Sequence, residues 1–129
     1  MSIQQNFERQ YPLVAYVDVS YADLAAGVNP AIELPGDAIV IGGDIVVTQV
    51  FNSTTNLLDI GDGGSANRYA NDIDLKVAAR TALTITGFVY SATDMLDFTY
   101  ASTGAAAGQG SFRVTVHYIR KGRGNENQG

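Results

Sequence analysis

Asp44-Ile45-Val46-Val47-Thr48-Gln49-Val50-Phe51 is the most strand-like run in the chain. Val46, Thr48 and Val50 fall on one face and Ile45, Val47, Gln49 and Phe51 on the other, which is the two-residue period of a β-strand. Both faces are partly apolar, so the run predicts a strand in the middle of a sheet rather than at its edge. Upstream, residues 31–34 and 38–41 are β-branched apolar pieces around Pro35-Gly36-Asp37, where proline presets the first corner of a turn and glycine allows a positive φ. Gly42-Gly43 reads as a further break. Residues 13–19 alternate Leu13, Ala15, Val17 and Val19 against Val14, Tyr16 and Asp18. Residues 21–26 allow one helical turn before Asn29-Pro30 biases the chain away from helix.

Downstream, residues 57–60 resume after the polar loop 52–56, and Gly61-Asp62-Gly63-Gly64-Ser65-Ala66-Asn67 reads as a long flexible turn. Residues 69–77 predict a strand with Ile73, Leu75 and Val77 in alternation, and residues 82–90 another, with a bulge at Gly87. Residues 95–100 alternate, 102–110 form a third flexible loop, and 112–120 place Phe112, Val114, Val116 and Tyr118 inward with Arg113, Thr115 and His117 outward. Short strands at this spacing, with no sustained helical period, predict an all-β fold: an antiparallel β-sandwich, jelly-roll-like, with an extended N-terminal arm.

At 129 residues the chain is long enough for one domain and one core. The expected division is an arm at 1–12, a sandwich at 13–120 and a flexible C-terminal tail at 121–129. The arm is polar, with Ile3 and Phe7 as its apolar anchors for a neighbouring subunit. Eight Lys plus Arg against thirteen Asp plus Glu give a net charge of −5, and 16% charged residues is low. That balance argues against nucleic-acid binding, since Arg120, Lys121 and Arg123 are the one basic cluster. A charge-poor surface suits close packing against other protein subunits. No apolar run approaches the ~20 residues of a membrane span, and no secretory leader is expected. With no cysteine, a catalytic thiol and a thiolate metal site are excluded, and assembly in a reducing cytosol is consistent.

Catalytic chemistry finds little support. A phosphate-cradling loop must open a helix, and Gly61 to Ala66 leads into Asn67-Arg68-Tyr69 and a strand. Asp59, Asp62, Asp72 and Asp74 could converge on a hard cation, with Asp59 and Asp62 the best ligands, yet turns use Asp to bond their own backbone. His117, the single histidine, sits mid-strand without triad partners. No carboxylate pair is marked for glycosidase work. No cofactor, metal or enzymatic activity is expected. Tyr11, Tyr16 and Tyr21 cluster around one strand and suit an interface.

The runs Ile41-Gly42-Gly43-Asp44 to Phe51-Asn52-Ser53, Leu57-Leu58-Asp59-Ile60-Gly61-Asp62 and Ala66-Asn67-Arg68-Tyr69 resemble a group of small virion structural proteins of tailed bacteriophages. Ala79-Arg80-Thr81-Ala82-Leu83 with Thr86-Gly87, and Val114-Thr115-Val116-His117-Tyr118 with Gly122-Arg123, extend the resemblance over residues 31–123. It implies a capsid decoration, or cement, protein: a compact sandwich, commonly trimeric, on the outer surface of an icosahedral head, bridging major capsid protein subunits. It further implies a virion location after synthesis in the host bacterial cytoplasm. Asn67 and Arg68 read most simply as polar residues pinning a long loop; the alternative is that Arg68 and Arg80 face acidic patches of the major capsid protein. Another virion role (head-fibre base, tail or head-to-tail joining protein) and a glycan-binding attachment module are the competing functions.

Overall fold

Alternation carries through into eight strands within residues 11–120, the part of the chain that the computed structural model describes. The strands are β1 (Leu13–Ser20), β2 (Gly27–Leu34), β3 (Ala38–Gln49), β4 (Thr55–Gly61), β5 (Ala70–Asp74), β6 (Arg80–Ala82), β7 (Asp94–Thr103) and β8 (Ser111–Arg120). One 3-10 turn, Tyr21–Asp23, stands where a helical turn is expected. Ile3, Phe7, most of the expected arm and the tail at 121–129 lie outside the described residues.

The strands form two four-stranded sheets, β1-β8-β3-β6 and β2-β7-β4-β5. Every pairing is antiparallel: first strand with last, second with seventh, third with sixth, fourth with fifth, closed by β3–β8 and β4–β7. This is one long hairpin rolled up on itself, the jelly roll that the alternation predicts. β3 lies between β8 and β6, so its central placement agrees with its two-faced apolar pattern.

Between the sheets, the inward residues of each strand make one core. Phe112, Val114 and Val116 of β8, Ile45 and Val47 of β3, and Leu58, Ile60, Leu96 and Phe98 of the facing sheet are all buried. Phe112 meets Phe98 with ring centroids 5.8 Å apart and Phe51 at 6.1 Å. Burying each such side chain contributes about 1.5–3 kcal/mol before ordering costs.

Four expectations need correction. Gly42-Gly43 does not end a strand: β3 runs through it, taking up the extra residue as a register shift between Val40 and Gly42 opposite β8. Gly43 has φ 143°, and a Cβ there would collide with the Thr115 carbonyl oxygen. The strand expected at 69–77 stops at Asp74, and Asp72 breaks its alternation with φ 52°. Residues 82–90 do not form one strand, nor is Gly87 a sheet bulge. Leu83 and Tyr90 are both buried, at 6% and 2% exposure, yet seven residues apart a continuous strand would send them to opposite faces. The chain therefore leaves the sheet after a last bond from the Leu83 N–H to the Gly43 carbonyl of β3, turns at Gly87 (φ 77°) and returns to β3 at the Ile39–Val89 bridge, where the Tyr90 N–H bonds the Ala38 carbonyl. Finally, β7 extends to Thr103 and shortens the expected loop at 102–110.

Candidate functional site

Two polar constellations stand out, one inside the fold and one on a sheet face. The first begins at the Gly61 to Asn67 turn. Asp62, 4% exposed, accepts the Gly64 and Ser65 backbone N–H groups on Oδ1, each at 2.9 Å. Its Oδ2 accepts Arg68 Nε at 2.5 Å, and Arg68 Nη2 reaches Oδ1 at 3.1 Å, a bidentate pair. The Tyr90 hydroxyl donates to the same Oδ2 at 2.8 Å and lies 2.7 Å from the Tyr69 hydroxyl. Phe88 covers the pair from outside, with the Arg68 guanidinium carbon 3.6 Å from its ring centroid. Burial alone would raise the Asp62 pKa, but the hydrogen bonds from Arg68, Tyr90, Ser65 and Gly64 outweigh it and hold the carboxyl below its ordinary value. Burial pushes both tyrosine hydroxyls up. With Asp62 Oδ1 accepting three bonds and Oδ2 two, the arrangement acts as a pin on the loop.

The second constellation lies on the outer face of the β1-β8-β3-β6 sheet. Register pairs Asp18 with Arg113, Tyr16 with Thr115 and Val14 with His117. Arg113 grips Asp18 through two bonds of 2.7 and 3.0 Å and stacks over the Tyr16 ring at 4.8 Å. The hydrogen bond from Arg113 draws the exposed Asp18 carboxyl below its ordinary pKa. On the same face, Arg80 of β6 bonds Asp44 of β3 at 2.7 Å.

The residues singled out from sequence thus separate. Tyr11 and Tyr16 are exposed at 58% and 59%, and Tyr21 at 40% beside the far end of β1. Arg80 is exposed while paired, whereas Arg68 is 17% exposed at its side chain and held by Asp62. Asp59 of β4 accepts the Asp72 N–H of β5 at 2.7 Å, a bond across the strand pair, and Asp74 accepts the Lys76 N–H at 2.9 Å in the turn that follows β5. Among the described residues no group of three or more His, Asp or Glu is placed to hold a metal ion. His117 is exposed, mid-strand, between Val14 and Gly42 in register. No helix of the described residues is long and apolar enough to cross a membrane. A cleft of about 340 Å³ between β1, β3 and β8 is lined by Asp18, Ser20, Asp23, Thr48 and Ser111, with Phe112 its one ring. That ring is 1% exposed and presents no stacking face.

Sequence reading missed Tyr69, Tyr90 and Phe88 as partners of Asp62 and Arg68. Buried tyrosines need a partner for the hydroxyl, which is a signal in principle, but choosing that partner requires the tertiary fold.

This geometry defines an eight-stranded jelly roll with a buried polar network that pins one loop. The fold is shared with chains of three phage capsids. A chain of the cyanophage Pam1 capsid asymmetric unit superposes with a TM-score of 0.70 at 23% identity, over 93% of this chain and 91% of that one. A chain of the acidic stable capsid of Helicobacter pylori bacteriophage KHP30 gives 0.63 at 14% identity, over 88% and 93%. A chain of the Ralstonia phage GP4 capsid gives 0.63 at 12% identity, over 93% and 90%. No protein-family model matches the chain, and no curated protein does.

Proposed function

We propose that this chain is a non-enzymatic capsid decoration protein of a tailed bacteriophage. It binds the outer surface of the icosahedral head as a homotrimer and stabilises the shell by bridging major capsid protein subunits, after synthesis in the host bacterial cytoplasm. The observation that carries this reading is the fold likeness, nearly end to end in both partners, to chains of three phage capsids. The low share of charged residues and the exposed tyrosines in and beside β1 support a role in subunit contacts. On this reading Tyr11, Tyr16, Tyr21 and Arg80 contribute to the interfaces, Ile3 and Phe7 anchor a neighbouring subunit, and Arg68 contributes by holding the loop that carries it.

Electron microscopy of the parent particle tests the proposal. Many copies spread over the shell are expected. A few copies at one vertex or along the tail would instead make the chain a joining or tail component. The glycan-binding alternative has the weaker footing, because the cleft beside Asp18 offers hydroxyls and carboxylates but no exposed ring on which a sugar could stack.

A further inference from the structure

Each sheet of the sandwich ends in two edge strands, and three of these four edges carry a feature that discourages further pairing. β2 contains Pro30 and a register shift between Pro30 and Ile32. β5 is five residues long and is interrupted by Asp72 at φ 52°. β6 has three residues. β1 has none of these features. Its eight residues run in unbroken register against β8, without proline, and its one charge, Asp18, is held by Arg113 of β8.

The Tyr21 N–H bonds the Gly110 carbonyl at 2.9 Å, in line with the β1–β8 register, and so fixes the phase of that ladder. In an antiparallel pair, residues alternate between bonding the partner strand and pointing their N–H and C=O away from it. Leu13, Ala15, Val17 and Val19 therefore bond β8, while Val14, Tyr16, Asp18 and Ser20 aim their backbone groups at the open side. The Ser20 N–H is taken by Asp23 Oδ2 at 2.8 Å, and Pro12, at the other end of the same row, has no N–H. Val14, Tyr16 and Asp18 remain as the positions that offer both a donor and an acceptor, and no described backbone group beyond this edge bonds them.

We infer that β1 pairs antiparallel with β1 of a second copy, about a two-fold axis at Tyr16, which joins two four-stranded sheets into one. The row selects the register. With Tyr16 opposite Tyr16 of the second copy, Val14 falls opposite Asp18, and every N–H and carbonyl of the three positions is used in both copies. A slip of two residues either way sets Asp18 against Pro12, which has no N–H, or Val14 against Ser20, whose N–H is occupied, and strands a carbonyl. Side chains agree with the same register. On the core side Leu13 meets Val19 and Ala15 meets Val17; on the outer side the two tyrosine rings are neighbours and neither Asp18 faces a like charge. These core-side residues of β1 are only part-buried in one copy. A cleft of about 220 Å³ opens between β1 and β2, with Val17, Val19, Leu24, Pro30, Ala31 and Phe98 in its lining. Leu13 of the second copy, opposite Val19, is placed beside it.

This self-match selects a second copy over an unrelated strand, because a two-fold contact requires each pair to work in both directions. The contact is narrow, eight residues a side against about 20–30 in a standard interface, so it joins free molecules only at high concentration and leaves a trimer closed through another surface intact. It goes beyond the capsid reading and does not rest on it.

The chain has no cysteine, so single substitutions report the register directly. Purified Tyr16→Cys, Val14→Cys and Tyr16→Cys/Val14→Pro are held at high micromolar concentration in a glutathione redox buffer and separated on a non-reducing gel, each checked for an unchanged β spectrum. At position 16 the two Cα atoms lie about 5.5 Å apart, within disulfide reach, whereas at position 14 they lie more than about 13 Å apart. Tyr16→Cys should give a linked dimer and Val14→Cys should not. Tyr16→Cys/Val14→Pro should link about tenfold less, because the Val14 N–H makes no bond to β8 and its loss touches only the new ladder. In the wild-type chain, hydrogen exchange at the Val14, Tyr16 and Asp18 amides should slow as concentration rises.

Several results overturn the inference. Absence of a linked dimer with Tyr16→Cys does so, as does linking of Val14→Cys to the same extent or a linked fraction that the proline leaves unchanged. Wild-type exchange at the three amides that is independent of concentration also overturns it: fast throughout, it leaves the edge unpaired, and slow even in dilute solution, it puts a segment of the same chain there.

Discussion

The Tyr90 hydroxyl donates to Asp62 Oδ2 across 2.8 Å, joining residues 28 apart in sequence. Asp62 follows β4 in one sheet, while Tyr90 is fastened to β3 of the other by its N–H to the Ala38 carbonyl, 3.0 Å away. The bond therefore clips the two sheets together at one end of the sandwich.

Removing either member should loosen that clip. Asp62→Ala strands the guanidinium of Arg68 and the Tyr90 hydroxyl, and is expected to cost about 3 kcal/mol or more, the usual result of breaking a buried pair from one side. Tyr90→Phe removes one bond to a charged acceptor and should cost about 1–2 kcal/mol. Urea unfolding at neutral pH reads both. Equal and negligible costs would mean that the network is not holding the loop.

The same network sets a pH response. Asp62 has a lower pKa folded than unfolded, so its ionised form adds stability above about pH 4, and that contribution is lost as pH falls through the folded value. Asp97 has the opposite sign: burial, with the charges of Asp94 and Asp62, raises its pKa and penalises the ionised folded state at neutral pH. Asp97→Asn should therefore raise the melting temperature at pH 7, with the gain fading as pH falls toward about 4 and gone below it, whereas Asp62→Asn should lower it at pH 7 with a deficit that shrinks on acidification. Melting curves taken across this range decide. A shift of either variant that is the same at pH 7 and pH 3 would contradict the assignment.

Gly110 is expected to be sensitive as well. It has φ 138°, and a Cβ there would run into the Phe51 ring at the edge of the core. Gly110→Ala should cost about 1–3 kcal/mol through strain and overpacking. Gly27→Ala is the contrast, since its φ is also positive but its surroundings are open. Comparing the two denaturation midpoints separates collision from backbone strain.

The exposed pair of Asp18 and Arg113 should behave differently from the buried one. Its bonds are short, yet both side chains are more than half exposed, so solvent and salt screen them. Arg113→Ala should leave the melting temperature within experimental scatter. A large loss would mean that the outer face of this sheet is covered in the free protein.

Sedimentation equilibrium addresses the proposed homotrimer, which should give three times the chain mass. A monomer at high micromolar concentration would remove the trimer as the state of the free protein and leave assembly to the shell.

Legibility in the sequence followed the reach of each interaction. β8 could be read residue by residue, because inward Phe112, Val114 and Val116 and outward Arg113 and His117 obey the strand period. β3 was legible as central for the same reason, although its continuity through Gly42 was hidden, since a glycine pair marks a bulge as readily as a break. Residues 83–90 defeated the pattern because Leu83 and Tyr90 are drawn to one core from positions of opposite parity. Arg68 could be read as a loop pin from its place after the glycine-rich turn. Its cover by Phe88 and the Tyr69–Tyr90–Asp62 chain could not, because those partners meet only after both sheets have closed.

The nested order of strand pairing bears on how the molecule comes into being. Only β4 and β5 can zip as near neighbours, and each further pair must close a longer loop, ending with β1 against β8, where Leu13 meets Tyr118. Topologies dominated by such distant partners fold slowly, on the order of milliseconds to seconds, because chain entropy is given up before the contacts that compensate it. Both ends of the described chain are locked in the last step, side by side in one sheet, so neither can peel away without breaking the β1–β8 ladder.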